Sequence, residues 1–483
     1  MERRSFLRRC GGTALGIAAL QTATVSGRML ASGEAEWSVK TNGSIGGSPT
    51  IVDGAVYTGS DNRPNTPTGT VYAIDAATGD ERWSTDVRTV DTSPTVVDDT
   101  VYVEASSTIR ALDAETGDQL WERPMGGAVE TAPTVVDGTV FLGDANTVIA
   151  LDAATGEQNW EFRTQELNAS TPTVVGGTVF VGSSPNVKDS DDGGIFAIDA
   201  ATGDQIWHHQ TKGYVASAPT VAASSVFVGD EAGNAYRIDA QSGDRLWSSG
   251  TSDAVYETPT VANGTVFVSA MDGTLHAFKI SGGGQWSTQF DGYLGSPPTV
   301  AGDTVYIGTT TGTLYALDTQ TGDRRWSYAS ANESLTGATV SNGVVYLSGD
   351  AGHVEAVQAH SDTSSTGSRV RFGTFGHTNS WAGEPVEFGE IDFGGGDQQS
   401  EPQPVHPDDV NEGSEEREVI SGKEQSDGES NQTTNDNGSS DDVDGSDSGP
   451  SNSADGTSGF GVLAAVAGIS GAVVLRHRHD EQS

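Results

Sequence analysis

The chain has 483 residues, with 67 acidic side chains against 25 basic ones for a net charge of -42, and a single cysteine. Such a surface lacks the cationic footprint that phosphate backbones require, which excludes a nucleic-acid-binding protein; one cysteine excludes a disulfide-stapled fold. The acids are spread through repeats and tail alike, so they are assigned to a surface adapted to high salt, where repulsion is screened within about 3 Å at 1 M, rather than to one acidic partner patch.

In chain order, residues 1–33 read as an export signal, with the charged stretch ERRSFLRR ahead of the weakly apolar CGGTALGIAALQTATVSG. Arg3-Arg4 followed by Ser5, Phe6 and Leu7 resembles the twin-arginine (Tat) signal, a receptor-read address for folded cargo. Cleavage is expected between Ala31 and Ala35, and it would remove Cys10 and leave no thiol in the mature chain.

From residue 34 to residue 360 one pattern repeats. Tryptophan returns at Trp37, Trp83, Trp121, Trp160, Trp207, Trp247, Trp286 and Trp326, and the spacing of about forty residues is that of a propeller blade. Within a period, such as SPTVV-DD-TVYVEA-TIRALDA-ETGD-QLW, runs of Val, Tyr, Ile and Thr alternate with Gly and Asp, which predicts four short strands joined by hairpin turns. The first-strand motif is SPTI at Ser48, SPTV at Ser93, APTV at Ala132, TPTV at Thr171, APTV at Ala218, TPTV at Thr258, PPTV at Pro297 and GATV at Gly337. This predicts an all-β, eight-bladed β-propeller of four-stranded antiparallel blades.

The ends of the repeat differ in phase. AEWSVK around Trp37 is a fourth strand without its first three, and GATVSNGVVYLSGDAGHVEAVQAH has three strands and no Trp. The N-terminal strand is therefore expected to complete the eighth blade and close the ring, removing two sheet edges. In AIDAATGDERW, Asp75 and Thr78 are expected to bond backbone groups around a turn, Gly79 to supply a positive φ, and Trp83 to wedge between blades. The period AFKISGGGQW loses the Asp to Lys279 but keeps Trp286, which identifies the motif as frame rather than site.

SPTVVDGTVYVG followed by LYALDAATGDxxW resembles the PQQ-binding-like β-propeller repeat, over about Glu34 to His360. That resemblance implies either a quinoprotein dehydrogenase or a non-enzymatic envelope assembly propeller of the BamB type. Quinoprotein alcohol dehydrogenases carry an adjacent cysteine pair beside the quinone and a Glu/Asn/Asp set for calcium, and this chain has no such pair. No HExxH, CxxC, GxxxxGK[ST] or GxSxG is present either, so the chain reads as a binding or scaffolding module rather than an enzyme. His276 and His353 are expected to take positions held by Tyr or Phe in other blades.

Propeller connectivity places the tight turns on one face, and the second-to-third-strand links and blade-to-blade links on the other. Two insertions, Ser60–Gly69 and Ser183–Gly194, lie on that second face, where loops carry function. Asp189, Asp191 and Asp192 could serve a calcium loop or be a solvated acidic loop. Asp91, Glu130, Tyr214, Tyr256 and Tyr293 precede the inner strands and are expected around the channel mouth. There they either hold a protein, glycan or cation, or shield a neighbouring blade. Cofactors left open are PQQ and calcium. Sequons at Asn42, Asn168, Asn263, Asn332, Asn431 and Asn437 suit an exported glycoprotein.

Beyond the repeat, residues 361–395 retain enough Phe, Val and Trp for a short β appendix. Residues 396–458 are Ser, Asp, Glu, Gly, Asn and Pro, too polar to offset the entropy of ordering, and read as a disordered stalk. In residues 459–483, the apolar GFGVLAAVAGISGAVVL and the basic RHRH resemble the PGF-type sorting signal of archaeal surface proteins, with Ser458 where that motif has Pro. The expectation is a monomeric protein exported by the Tat pathway and anchored, through this segment, at the outer face of the cell membrane or surface layer.

Overall fold

Short Val/Thr/Tyr runs separated by two-residue Gly, Asp or Asn turns leave each segment one local option, a hairpin. The computed structural model describes residues 31–359 apart from 63–67, 128–130, 145, 165–169 and 184–192. Seven of the eight first-to-second-strand turns have positive φ at both central residues, as at Asp53 (47°) and Gly54 (70°), Asp98 (47°) and Asp99 (60°), and Asn263 (51°) and Gly264 (73°). Those are the primed turns whose twist matches the flanking strands.

The hairpins stack into eight antiparallel sheets with their strands in sequence order, and the described residues contain no helix. Blade one comprises Thr50–Val52, Ala55–Asp61, Gly69–Asp75 and Glu81–Val87. The later blades begin at Thr95, Thr134, Thr173, Thr220, Thr260, Thr299 and Leu335. Blade eight is finished by the N-terminal strand: Ala35–Lys40 pairs antiparallel with His353–Gln358, with Trp37 opposite Ala356. The expected ring closure is therefore present. Beyond it, Ala31–Ser32 adds a short parallel strand to the outer edge of blade seven, opposite Trp326 and Ser327.

The core lies between blades rather than within a single sheet. A buried cluster such as Tyr57, Ala73, Trp83, Val96, Val101 and Leu112 mixes the facing sides of blades one and two. In every blade a β-bulge interrupts the third-to-fourth-strand pairing immediately before the tryptophan. The extra residue re-aims the indole toward the next blade. There Trp83 lies 6.0 Å from the Tyr57 ring and donates its Nε1–H to Ala114 O at 2.9 Å. The same bond runs from Trp121 to Ala153 O and, across the closure, from Trp37 to Ala76 O.

The TGD turn completes this joint. Asp75 Oδ1 accepts the N–H groups of Ala77 and Thr78, each at 3.0 Å, as an Asx turn. Gly117, the equivalent of Gly79 one blade on, has φ +76°, and a Cβ there would stand 2.6 Å from the Trp83 ring. The glycine is thus required twice, by the backbone and by the indole lying on it. In the period that lacks the Asp, Lys279 N–H bonds Gly283 O at 2.9 Å, and Trp286 still reaches Thr319 O at 3.1 Å.

A second seam closes the centre. Each first-strand motif has a threonine in third place whose hydroxyl donates to the carbonyl that precedes the equivalent threonine of the next blade. The chain of bonds runs Thr50 to Pro94 O, Thr95 to Pro133 O, Thr134 to Pro172 O, and so on to Thr339 and Pro49 O at 2.8 Å. Eight inner strands are thereby tied into a closed hydrogen-bonded ring.

One register expectation needs correcting. His276 stands opposite Val268 and occupies the third-strand row of Tyr72 and Tyr236. In blade eight that row is filled by Glu355, opposite Leu347, whereas His353 lies two residues earlier and pairs with Lys40. The bulky aromatic expected from GHVEAV is a buried carboxylate, because the strand begins at His353 itself and not before it. The expected appendix 361–395, stalk 396–458, C-terminal segment 459–483 and signal residues 1–30 lie outside the described residues.

Candidate functional site

On the mouth face, five of the described blade-to-blade links are each pinned by one buried residue between more exposed neighbours. Ile45, Val90, Val215, Val255 and Leu294 are the pins. Val90 sits where a Cβ on Gly59 would come within 2.2 Å, and Val255 does the same over Gly229 at 2.1 Å. The residue just after the pin is Gly46, Asp91, Ala216, Tyr256 or Gly295, and the residue just before it is Ser44, Thr89, Tyr214, Ala254 or Tyr293. These flanking positions carry whatever the mouth presents.

Of the five residues expected there, the structure brings two together. The rings of Tyr214 and Tyr256 lie 5.8 Å apart at 32°, each half-buried. Glu231, on the second-to-third-strand link of blade five, donates its N–H to Tyr214 O at 3.0 Å and accepts the Tyr256 hydroxyl at 3.2 Å. Burial pushes the Tyr214 phenol up, and the Glu231 carboxylate adds to it. Burial, followed by the neighbouring Tyr214 hydroxyl and Glu231, pushes Tyr256 higher still. Both phenols therefore stay protonated through the physiological range, presenting neutral π faces beside a carboxylate.

Tyr293 is 53 % exposed on the next link but one, held by its N–H on Thr310 Oγ1 at 3.1 Å. Asp91 is exposed on the link between blades one and two, four blades from Tyr256 and so across the ring. Glu130, Asp189, Asp191 and Asp192 lie outside the described residues. The first insertion is shorter than its sequence suggests, since the flanking strands extend to pair Asp61 with Gly69.

The residues not anticipated are buried acids. Glu104, Asp144, Asp230 and Glu257 are each at most 7 % exposed near this face. Asp230 accepts the Tyr236 hydroxyl at 2.6 Å and the Asn234 N–H at 2.7 Å. Asp144 accepts the Gly126 N–H at 3.0 Å, and its burial raises the carboxyl pKa. A signal for Glu104 was readable, because it stands in the second strand where other blades have Gly59, Gly143, Gly182 or Gly229.

Four members of the third-strand row share a task that their varied chemistry hides; Arg110, Ile149, Phe196 and Tyr315 hold the same position in the other blades. Tyr72 OH accepts Asn42 N–H, Tyr236 OH accepts Lys212 N–H, His276 Nε2 accepts Ser252 N–H at 3.3 Å, and Glu355 accepts Ala331 N–H at 3.2 Å. All four donors stand eight residues before the ring threonine. Each side chain caps the first N–H that leaves the preceding blade. The contact between Ser252 Oγ and His276 Nε2, 3.0 Å, belongs to this cap rather than to a nucleophile and its base. Glu355 also accepts the Tyr328 hydroxyl at 2.8 Å and that of Ser330.

Among the described residues no group of three or more His, Cys, Asp or Glu is placed to hold a metal ion. The described link residues include the bases Arg88 and Lys212, against exposed acids Asp91, Glu231, Asp253, Asp291, Glu333 and Asp350. Without a cation between them, carboxylates of this set repel an anionic quinone cofactor such as PQQ. Asn332, one of the sequons, is 2 % exposed with its amide on His353 O, so it is closed to modification in the folded chain. Asn42 and Asn263 are exposed. No described helix is long and apolar enough to cross a membrane.

The family described as outer membrane protein assembly factor BamB matches residues 21–124, 105–217, 191–289 and 273–365. No curated protein matches the sequence. Among solved structures, BamB from Moraxella catarrhalis superposes with a TM-score of 0.56 at 19% identity, covering 68% of this chain and 99% of its own. The computationally designed Ika8 protein gives 0.57 at 18%, covering 66% and 97%. Quinohemoprotein alcohol dehydrogenase from Comamonas testosteroni gives 0.54 at 15%, covering 68% and 76%. Identities this low establish a shared fold and leave the activity to the residues.

Proposed function

The chain belongs to the PQQ-like propeller family described as outer membrane protein assembly factor BamB, and from that premise we propose that it is a non-catalytic binding or scaffolding module, exported and anchored at the cell surface. The observation that carries this reading is the contrast between the two faces. One face is built of repeated tight turns, whereas the other varies from link to link and presents Tyr214, Tyr256, Tyr293 and Glu231 on a rigid ring. Binding residues placed on variable links over a fixed scaffold are the usual arrangement of a recognition surface. The Tat-like N-terminus and the apolar, basic-ended C-terminus support placement at the outer face of the membrane, with the acidic stretch 396–458 as a stalk.

The competing reading is a PQQ-dependent dehydrogenase, and the acid-rich mouth speaks against it. Incubating the purified protein with PQQ and calcium at high salt separates the two. The scaffold reading expects no saturable quinone binding and no dye-linked alcohol or sugar oxidation, and either activity would overturn it. Capture of envelope proteins by the full chain, weakened by substitutions on the mouth face and unaffected by substitutions in the TGD turns, is the positive expectation.

A further inference from the structure

The mouth of blades five to seven joins three features whose chemistry converges. Tyr214 and Tyr256 form one half-exposed aromatic surface, with rings 5.8 Å apart. The Glu231 carboxylate is fixed beside it by the Tyr256 hydroxyl and by the residue's own N–H on Tyr214 O. One blade on, the positions equivalent to Tyr214 and Tyr256 hold Ala254 and Gly295, small residues that leave the surface low before Tyr293 rises beyond them. A Cβ added at Gly295 would come within 3.0 Å of the Thr310 methyl, so a larger residue there requires that side chain to give by a few tenths of an ångström.

The charge around this crescent is mainly negative. Asp253 and Asp291 are exposed and Asp272 is half-exposed on the same run of links, against one described base, Lys212, two residues before Tyr214. π faces attract cations through the ring quadrupole, and a neighbouring carboxylate adds a directed acceptor. A guanidinium satisfies both, since it stacks flat on an aromatic ring while its edge donates two parallel N–H groups to a carboxylate; an ammonium satisfies the charge alone. A neutral sugar could stack on the rings and donate a hydroxyl to Glu231, but it carries no charge for the surrounding carboxylates to attract.

We propose that the Tyr214–Tyr256–Glu231 surface is a docking site for an arginine presented by an extended segment of another exported protein, with the guanidinium over the tyrosine faces and its edge on Glu231. The inference rests on the reading of the mouth as a recognition surface and names the partner's chemistry. The low stretch at Ala254 and Gly295 gives the partner's backbone a path toward Tyr293. Because the contact is partly desolvated, it keeps a share of its strength in salt that screens the exposed acids.

The test uses the full chain, with three probes measured by calorimetry at fixed high salt: a Gly/Ser/Arg decapeptide carrying two arginines, its lysine counterpart and a neutral hexasaccharide. The expectation is saturable binding of the arginine peptide, several-fold tighter than the lysine peptide. Tyr214→Ala/Tyr256→Ala and, separately, Glu231→Gln should weaken it about tenfold or more. Asp118→Asn, on the opposite face, should leave it unchanged, which separates a site from general attraction to a protein of charge -42. Melting temperatures equal to the parent's show that the variants are folded; Glu231→Gln, an isosteric change at an exposed residue, supplies the test should the double variant lose stability. Equal affinity for the two peptides, or loss with Asp118→Asn as large as with Glu231→Gln, overturns the proposal. Tyrosine-dependent binding of the hexasaccharide without the arginine peptide overturns it too, while leaving the recognition reading of the mouth intact; capture of envelope proteins that ignores every mouth substitution would remove that reading itself.

Discussion

At the scale of single residues, the inner threonines do more than mark the repeat. Thr220 is fully buried, and its hydroxyl donates to Pro259 O at 2.6 Å. Thr220→Val keeps the shape, removes the donor and leaves that carbonyl unsatisfied, so it should cost about 1–3 kcal/mol, while Thr220→Ser should cost less. Urea unfolding midpoints of the two variants at one salt concentration check this. Histidines supply the pH dependence. Burial is the first cause holding both His209 and His276 below the ordinary histidine value. The native state therefore binds fewer protons than the unfolded chain between the lowered values and about 6.5. Their contribution is complete above about pH 6.5 and is lost as the pH falls from there through the lowered values. Denaturation midpoints should fall between pH 7.5 and 5.5 for the parent and fall less for His209→Asn/His276→Gln. The sequence placed His276 at a position held by Tyr or Phe in other blades, but it could not show that His276, Tyr72, Tyr236 and Glu355 share one capping task, because their side chains have nothing in common except an acceptor.

At the scale of elements, the blade joint couples turn and wedge. Gly117→Ala meets both a positive φ and the Trp83 ring at 2.6 Å, whereas Gly283→Ala meets a positive φ of 90° with nothing within 4 Å. The first should cost about 2–4 kcal/mol, adding overlap to backbone strain, and the second about 1–2 kcal/mol. Comparing their melting temperatures with the parent's measures the wedge separately from the turn; equal losses would show that the indole yields freely. The strands and turns were legible because each hairpin is a local decision of alternating β-formers and φ-positive residues. The bulge before each tryptophan was not. It exposes Leu120, Ile206 and Leu246 at about half their surface, so the local pattern carried no polar signal of an outward position.

At the scale of the whole molecule, stability depends on closure. Two seams join the ends of the ring: the pairing of Ala35–Lys40 with His353–Gln358 inside blade eight, and the bond from Thr339 to Pro49 O across the junction of blades eight and one. Deleting residues 34–44 removes the outer seam and exposes the third strand of blade eight along its edge. The truncated protein should associate on size exclusion with light scattering and melt lower; a monodisperse monomer with an unchanged melting temperature would contradict the closure. What the sequence determined by itself was the blade, the number of blades and the phase mismatch that requires the N-terminal strand to complete the eighth, because periodic patterns and turn residues act over a few positions. Only the tertiary structure decided which link residues meet. Tyr214, Tyr256 and Glu231 come from three links and become one surface through the rotation between neighbouring blades, while Asp91, of the same position in the repeat as Tyr256, is carried to the far side of the ring by that same rotation.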